Sequence, residues 1–331
     1  MFRKESVHHR RGFLQGMLGG VAAAAFPSSL RSATRSATGD IPTRVLGKTG
    51  VRVTAIGLGG ARLPMLSDDD AVRLVDAAYD AGINFFDTAR SYTDGRSERV
   101  YGRALQGKRK RIFLTSKSTE RSRAGAEREL GETLGHLKTD YLDLWQIHGV
   151  STMDEVEQIF GLDGALEAFV RAKKDGKARF IGFTGHHDPE VHMAMLDRFD
   201  FDTILMPLHP ADPHYLSFEK RVLARAAEKN LGITAMKVTG NAMLLRAVTV
   251  DECLRYVLSL PVACAIMGCT TPGQLEDNLR VVRSFTPLNE EEKKAILTKS
   301  DRVKGPALEY WKKNVEGPAV SVKSLDPGYF G

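Results

Sequence analysis

Cysteine is scarce in this chain, and its scarcity excludes two kinds of stabilisation. The three cysteines among 331 residues are Cys253, Cys264 and Cys269, and none of them belongs to a Cys-x-x-Cys pair. Their number and spacing fit neither a disulfide framework nor a zinc site. Cys264 stands in an apolar run, which predicts a buried thiol. With 42% hydrophobic and 27% charged residues, the composition is that of an ordinary globular protein.

Long apolar runs are absent after residue 38, so no later segment is predicted to span a bilayer. The first 38 residues differ, because Arg10-Arg11 and Phe13 precede a mildly apolar stretch over residues 17–26. This pattern resembles a twin-arginine (Tat) signal peptide, which implies the Tat export machinery as a partner and a periplasmic location. The alternative is a disordered basic N-terminus on a cytoplasmic protein. We therefore predict a leader over residues 1–38 and one domain over residues 39–331.

Positive charge is concentrated in the leader. The chain carries a formal net charge of +6, and residues 1–34 account for +4 of it. The remainder of about +2 gives little support to a nucleic-acid-binding function. Residues 108–111 form a Lys-Arg-Lys-Arg run, which we interpret as a solvated loop.

Short apolar runs alternate with helical patterns along the domain, and this alternation predicts the fold class. Eight runs are predicted as buried strands: residues 54–58, 83–86, 112–115, 141–147, 178–183, 203–206, 233–236 and 262–267. Eight strand–helix units predict an α/β protein with a closed (β/α)8 TIM barrel. Residues 42–53 predict an N-terminal β-hairpin, and residues 289–300 and 306–314 predict two extra C-terminal helices.

Four polar side chains come at the ends of successive predicted strands: Asp87, Tyr92, Lys117 and His148. The carboxyl ends of barrel strands form the face where α/β enzymes place their chemistry. A tyrosine has an ordinary pKa of about 10, and a neighbouring ammonium group lowers it. Lys117 is the candidate ammonium group, Asp87 can hold it in place, and His148 can bind a substrate carbonyl. The set therefore predicts proton donation from Tyr92 to an oxygen atom.

Three motifs around these residues resemble the signatures of the aldo-keto reductase family. They are Gly-Ile-Asn-Phe-Phe-Asp-Thr-Ala at 82–89, Ser-Glu-Arg-Val-Tyr-Gly at 97–102 and Tyr-Leu-Asp-Leu-Trp-Gln-Ile-His at 141–148. The resemblance covers nearly all of residues 42–285. It implies an oxidoreductase that binds NAD or NADP without a Rossmann domain and interconverts a small aldehyde or ketone and its alcohol. It also implies that Tyr92 is the general acid, that Lys117 and Asp87 adjust its pKa, and that His148 orients the carbonyl.

The same resemblance indicates the cofactor-binding residues. Gly60 and Ala61 would lie at the nicotinamide ribose, and Thr184 at the carboxamide. Lys237 would contact the pyrophosphate or the 2′-phosphate. The adenosine end is assigned to Gly268, Thr270, Gln274, Asp277 and Asn278. Thr270 replaces the Arg or Lys that often binds the 2′-phosphate of NADP, so NAD is credible beside NADP.

The resemblance is incomplete around the nicotinamide, where histidines permit another interpretation. Leu205 and Leu208 stand where the family usually has a glutamine and an aromatic residue. His148, His186 and His209 all follow predicted strands, as the ligands of metal-dependent barrel hydrolases do. Against a hydrolase, no His-x-His follows the first strand. A non-catalytic, nicotinamide-binding redox sensor is a further alternative.

Overall fold

The computed structural model describes residues 40–313, and the strands within this range form a hairpin and a closed barrel. β1 (Thr43–Val45) and β2 (Arg52–Thr54) pair antiparallel. The barrel strands are β3 (Ile56–Gly59), β4 (Phe85–Asp87), β5 (Phe113–Ser118), β6 (Leu142–Ile147), β7 (Ala178–Thr184), β8 (Thr203–Pro207), β9 (Gly232–Met236) and β10 (Cys264–Gly268). Successive strands pair in parallel, and β10 returns to β3. The predicted TIM barrel and hairpin are confirmed.

Helices cover the outside of the barrel. They are α1 (Asp68–Asp80), α2 (Arg96–Ala104), α3 (Arg123–Leu137), α4 (Met153–Phe160), α5 (Ala165–Lys174), α6 (Pro189–Arg198), α7 (Ala224–Glu228), α8 (Val250–Leu258), α9 (Pro272–Arg283) and α10 (Glu290–Asp301). A π-helical turn, Glu219–Leu223, leads into α7. Between residues 40 and 313, no helix has the length and apolarity needed to cross a membrane.

Two segments differ from the predicted secondary structure. Helix α4 was not predicted; it begins at a capping box in which Thr152 and Glu155 bond each other's backbone N–H groups. Conversely, the second extra helix predicted at 306–314 is wrong for the described part of that segment, because residues 306–313 form turns. The backbone is left-handed at Gly305, with φ of +106°. Beyond it the backbone forms separate turns, closed by bonds from Leu308 and Glu309 to Gly305 and from Lys312 to Glu309, and Lys313 then bonds to the loop after β7.

Strand alternation decides which side chains enter the barrel, because successive residues point to opposite faces. In β4, Phe85 belongs to the inner apolar cluster and Phe86 to the outer one, so Asp87 points inward again. In β5, Phe113 is in the inner cluster, and the same alternation brings Lys117 inside. The sequence placed Lys117 just after a strand. The strand instead extends one residue beyond it, so Lys117 projects from regular sheet.

The hairpin closes the amino-terminal end of the barrel. Leu46 and Val53 are fully buried and join the inner cluster with the aromatic rings of β4 and β5. The backbone at Gly47 is left-handed, with φ of +49°, and a Cβ there would lie 2.3 Å from the backbone of Leu231. Only glycine fits this approach. With one end plugged by apolar side chains, the carboxyl end of the strands is left for polar residues.

Candidate active site

The Lys117 ammonium group is the centre of a buried polar cluster at the carboxyl end of the barrel. Its Nζ lies 2.7 Å from Asp87 Oδ2, 2.7 Å from the Thr88 carbonyl oxygen and 3.3 Å from the Tyr92 hydroxyl oxygen. An ammonium group has three N–H donors, and these three acceptors account for all of them. Because the Tyr92 oxygen accepts from Lys117, the phenol proton remains available to another acceptor. The structure thus brings together Asp87, Tyr92 and Lys117 as the sequence predicts.

Asp87 has two further neighbours with no role in the sequence prediction. The Thr115 hydroxyl donates to Asp87 Oδ1 at 3.1 Å, and Gln146 Nε2 donates to the Thr115 hydroxyl oxygen at 3.0 Å. All three side chains project inward from adjacent strands and are buried. The carboxylate is therefore bonded on both oxygens and fixed in orientation. The alternation of inward positions along β5 and β6 is the sequence signal that identifies Thr115 and Gln146.

The sequence predicted a lowered pKa for Tyr92, but in the structure its pKa is raised. Tyr92 is only 5% exposed, and this burial raises the pKa of its phenol. The Lys117 ammonium group acts in the predicted direction, but it offsets only part of the burial effect. The phenol is therefore protonated at neutral pH, which is the form that a proton donor needs.

His148 lies beside Tyr92 at the next strand end. The two rings meet edge to face with centroids 5.6 Å apart. The His148 backbone is held on both sides, because its N–H donates to the Ser118 carbonyl and its carbonyl accepts from Arg121. Burial lowers the pKa of His148 well below its usual value, and the charge of Lys117 lowers it further. The imidazole is therefore neutral at pH 7, when it can donate or accept a hydrogen bond without carrying charge.

The residues predicted around the nicotinamide are placed near this cluster, but some already have structural contacts. A Cβ at Gly60 would lie 2.3 Å from Ser97 Oγ, so the glycine is required for packing against α2. Ala61 follows it in a short 3-10 helix. The Thr184 hydroxyl oxygen accepts from the Gly149 N–H at 3.0 Å, which leaves its own proton to donate. Leu205 and Leu208 are buried, as apolar residues in place of a glutamine and an aromatic ring.

Two cations meet at the side chain of Asn241, and the arm of one of them, Arg62, lies over the end of β10. Lys237 Nζ and Arg62 Nη2 each lie 3.5 Å from Asn241 Oδ1, and the Arg62 chain passes over Gly268. A Cβ at Gly268 would lie 2.9 Å from Arg62 Cγ, so the missing side chain makes room for the guanidinium arm. Lys237 was predicted as a phosphate contact, whereas Arg62 was missed. No sequence signal joins them, because β3 and β9 are distant in the chain and flank β10 only in the closed barrel.

The predicted adenosine-binding residues run from the end of β10 into the first half of α9. The side-chain oxygen Oε1 of Gln274 accepts from the Thr270 N–H at 2.8 Å, and Asn278 Nδ2 donates to Cys269 Sγ. Asp277 pairs with Arg280 one helical turn later. These residues shape the loop after β10, which lies next to the Gly268 position described above. Thr270 stands where an Arg or Lys was expected. Among residues 40–313, its recorded hydrogen bonds are with the side chain of Gln274, which carries no positive charge.

The histidines of the hydrolase interpretation do not converge. His209 lies against Glu309, with Nε2 3.3 Å from Oε1, and its ring meets Trp311 edge to face. Burial lowers the pKa of His186 to about 3, with a further contribution from the charge of Lys237. Across the part of the chain that the structure describes, no group of three histidine, cysteine or acidic side chains is arranged to hold a metal ion. The hydrolase interpretation therefore has no structural support.

Residues 305–313, here called the C-terminal segment, cross the loops that follow β7, β8 and β9. The Lys313 N–H donates to the His187 carbonyl at 2.8 Å, and Asn241 donates to the Tyr310 hydroxyl at 2.7 Å. Lys312 is fully buried, with Nζ 2.7 Å from Asp212 Oδ1 and 2.5 Å from Glu309 Oε1. The C-terminal segment thus forms one wall beside the mouth of the barrel.

A closed parallel barrel with a buried polar cluster at the carboxyl ends of its strands is typical of TIM-barrel enzymes. A model of the aldo/keto reductase family matches residues 55–252. The chain belongs to the aldo/keto reductase family and is an NAD(P)-dependent oxidoreductase.

Several known proteins are similar to this chain. The oxidoreductase YqkF of Bacillus subtilis (strain 168) is 28% identical over 298 residues, which cover 76% of this chain and 94% of the relative. The L-galactose dehydrogenase of Arabidopsis thaliana is 35% identical over 162 residues, 44% of this chain and 49% of that protein.

Two solved structures are similar to this chain in both sequence and fold. The holo form of the aldo-keto reductase AKR11C1 from Bacillus halodurans is 26% identical, with a TM-score of 0.70 over 78% of this chain and 96% of its own. An aldo-keto reductase from Klebsiella pneumoniae in complex with NADPH is 25% identical, with a TM-score of 0.62 over 78% of this chain and 94% of its own.

Proposed function

We propose that the protein reduces a small aldehyde or ketone, or oxidises the corresponding alcohol, with Tyr92 as the general acid or base. The observation that carries this proposal is the complete hydrogen bonding of the buried Lys117 ammonium group by Asp87, Thr88 and Tyr92. The lysine presents a positive charge to the phenol oxygen, and that charge stabilises a phenolate as the proton leaves. His148, neutral beside it, binds and orients the substrate oxygen.

The side chains at the mouth suit a dinucleotide. Arg62 and Lys237 place two positive charges beside Asn241 at the mouth of the barrel, where they can bind the phosphates of a dinucleotide. Thr184 retains a hydroxyl proton for the carboxamide, and the loop of Thr270 and Gln274 would border the adenosine. When bound, the nicotinamide supplies or accepts the hydride. Thr270 offers no charge to a 2′-phosphate, so we propose that NADH and NADPH both bind.

The direct test is a Tyr92→Phe variant, which removes the proton and leaves the ring. We expect dinucleotide-dependent carbonyl reduction to fall by at least about 10²-fold, because proton donation contributes at least that much to such reactions. Binding of NADH and NADPH, followed by quenching of tryptophan fluorescence, should change little. A Tyr79→Phe variant is the matched control, because Tyr79 lies on α1 and contacts Lys108 and Arg111. Full turnover by Tyr92→Phe would refute the assignment.

The cellular location rests on residues 1–38, which lie outside the described residues. We propose that this leader directs export through the twin-arginine route, because it combines paired arginines with a mildly apolar stretch. That route moves folded proteins, so a tightly held nicotinamide could be loaded before export. The test is a fusion of residues 1–38 to a reporter that is active only after export. Replacing Arg10 and Arg11 by lysine should abolish the signal, and a reporter that stays inactive with the native leader would favour a cytoplasmic enzyme.

A further inference from the structure

Ser91, the residue before Tyr92, contacts the ring of His148. Its hydroxyl oxygen lies 3.1 Å from His148 Nδ1. The loop that carries Ser91 is held to β5 on one side, because the Arg90 N–H donates to the Lys117 carbonyl at 3.1 Å. On the other side, the Tyr92 N–H donates to the Ala89 carbonyl at 3.1 Å. Ser91 is therefore fixed in place relative to the catalytic cluster.

The Ser91 contact is made with the imidazole ring itself. The backbone of His148 is anchored at Ser118 and Arg121, which leaves rotation of the ring about its side-chain bonds. Among residues 40–313, the hydroxyl of Ser91 is the hydrogen-bond partner recorded for that ring. A neutral imidazole carries one proton, and the hydrogen bond at one nitrogen decides which nitrogen holds it.

We propose that Ser91 is a positioning residue that donates its hydroxyl proton to Nδ1 of His148 and thereby keeps the imidazole proton on Nε2. Within residues 40–313, Nδ1 is the acceptor that the structure offers to this hydroxyl. The Nε2–H group then serves as the donor to a substrate carbonyl oxygen. In the opposite tautomer, a lone pair on Nε2 would face the lone pairs of the carbonyl oxygen and repel them. This inference rests on the proposed carbonyl chemistry.

The role of Ser91 extends the proton-transfer set by one member. Tyr92 delivers a proton to the substrate oxygen, and His148 holds the same oxygen by a hydrogen bond. The two rings are adjacent, with centroids 5.6 Å apart, so a rotated imidazole would misplace the oxygen relative to the phenol. Ser91 and Tyr92 are neighbours in the chain, so one short loop sets both the proton donor and the tautomer of its partner.

The tautomer can be measured without turnover. Histidine labelled with ¹⁵N in the full-length protein gives two-bond ¹H–¹⁵N correlations that distinguish protonated Nε2 from protonated Nδ1. The chain has nine histidines, and the spectrum of a His148→Gln variant identifies the signals of His148. We expect Nε2–H at pH 7.5 in the native protein. We expect a mixture of both tautomers in Ser91→Ala, and Ser91→Thr, which retains a hydroxyl, should restore the native pattern.

Kinetics supply the second readout. Loss of one hydrogen bond of this kind lowers kcat by roughly threefold to tenfold, with little change in dinucleotide affinity. The matched control is Ser151→Ala, which removes a hydroxyl that donates to the Gly149 carbonyl in the same loop as His148. This control should leave both the tautomer and kcat unchanged.

Protonated Nδ1 in the native protein, or an unchanged tautomer in Ser91→Ala, would overturn the inference. Its failure is distinguishable from failure of the proposed function. The former is read from nitrogen signals of the unliganded protein, and the latter from carbonyl turnover by Tyr92→Phe.

Discussion

Lys117 combines full burial with a positive charge, and its neighbours explain why the charge persists. Burial alone lowers the pKa of a lysine, but the charge of Asp87 and the hydrogen bonds to Asp87 and Tyr92 outweigh it and raise the pKa of Lys117 above its ordinary value. Asp87 is itself bonded by Thr115. Lys117 is therefore a charged ammonium group beside the phenol at neutral pH.

A Lys117→Met variant tests this electrostatic role. We expect kcat/KM for carbonyl reduction to fall by on the order of 10²-fold or more, because the phenolate loses its stabilising charge. The pKa of Tyr92 should rise further, so the alkaline limb of the pH–rate profile should move to higher pH. A Lys108→Met variant is the control, because Lys108 pairs with Asp76 away from the cluster.

Removing Lys117 alone leaves a buried carboxylate without its partner, which costs about 3–5 kcal/mol in stability. The double variant Asp87→Asn with Lys117→Met removes both charges and separates stability from chemistry. We expect it to unfold at a higher urea concentration than Lys117→Met but to remain as inactive. Recovery of activity in the double variant would contradict the catalytic role of the lysine.

Among the structural elements, the C-terminal segment is not helical and is held to the barrel by buried ion pairs. Lys312 donates to Asp212 and to the Tyr215 carbonyl, and it also contacts Glu309. Asp212 in turn accepts from the Phe218 N–H at the start of the following π-helical turn. The segment is thus tied to the loop after β8 by Lys312, Asp212 and Glu309, whose side chains are all buried.

A Lys312→Met variant should release this segment from the barrel. Two carboxylates would be left buried without a cation, at a cost of about 3–5 kcal/mol that detachment of the segment relieves. We expect rapid chymotryptic cleavage at Tyr310 and Trp311, and loss of hydrogen-exchange protection across residues 306–313. The matched control is Lys313→Met, whose exposed pair with Asp188 contributes well under 1 kcal/mol. Equal cleavage of the two variants would show that the buried network does not hold the segment.

At the scale of the whole molecule, buried histidines make stability depend on pH. Burial lowers the pKa of His192 to about 4 and that of His186 to about 3, against an ordinary value of 6.5. In the unfolded chain these groups take up protons as the pH falls through 6.5, while in the folded protein they remain neutral. The unfolded state therefore binds more protons, and the folded protein loses stability as the pH falls below about 6.5.

A His192→Leu variant measures one part of this effect. His192 is fully buried and its ring contacts the rings of Phe183 and Phe218, so an apolar replacement is compatible with its surroundings. Between pH 7.5 and pH 5, the native protein should lose about 2 kcal/mol more unfolding free energy than the variant. Urea unfolding at both pH values gives the difference. Parallel pH dependence in the two proteins would show that His192 does not contribute.

The sequence singled out the residues of the candidate site because each is tied to a local pattern. Asp87 ends a short apolar run, and Tyr92 and His148 belong to motifs that resemble a known family. The sequence was less successful where the determining contact is distant. Arg62 was missed because it meets Lys237 only through the closure of the barrel. The helix predicted over residues 306–313 was wrong because the segment is held by bonds to His187 and Asp212, which are remote in sequence.

The sequence by itself determined the order of the barrel strands and the barrel class, because alternation and apolar spacing act over a few residues. It also named Asp87, Tyr92 and Lys117, which the structure brings together. Only the tertiary structure decided that burial outweighs the lysine charge at Tyr92, and that the cations of Arg62 and Lys237 meet at Asn241. The reason is physical: desolvation and charge pairing depend on what surrounds a group in space, and the surroundings are assembled from strands far apart in the chain.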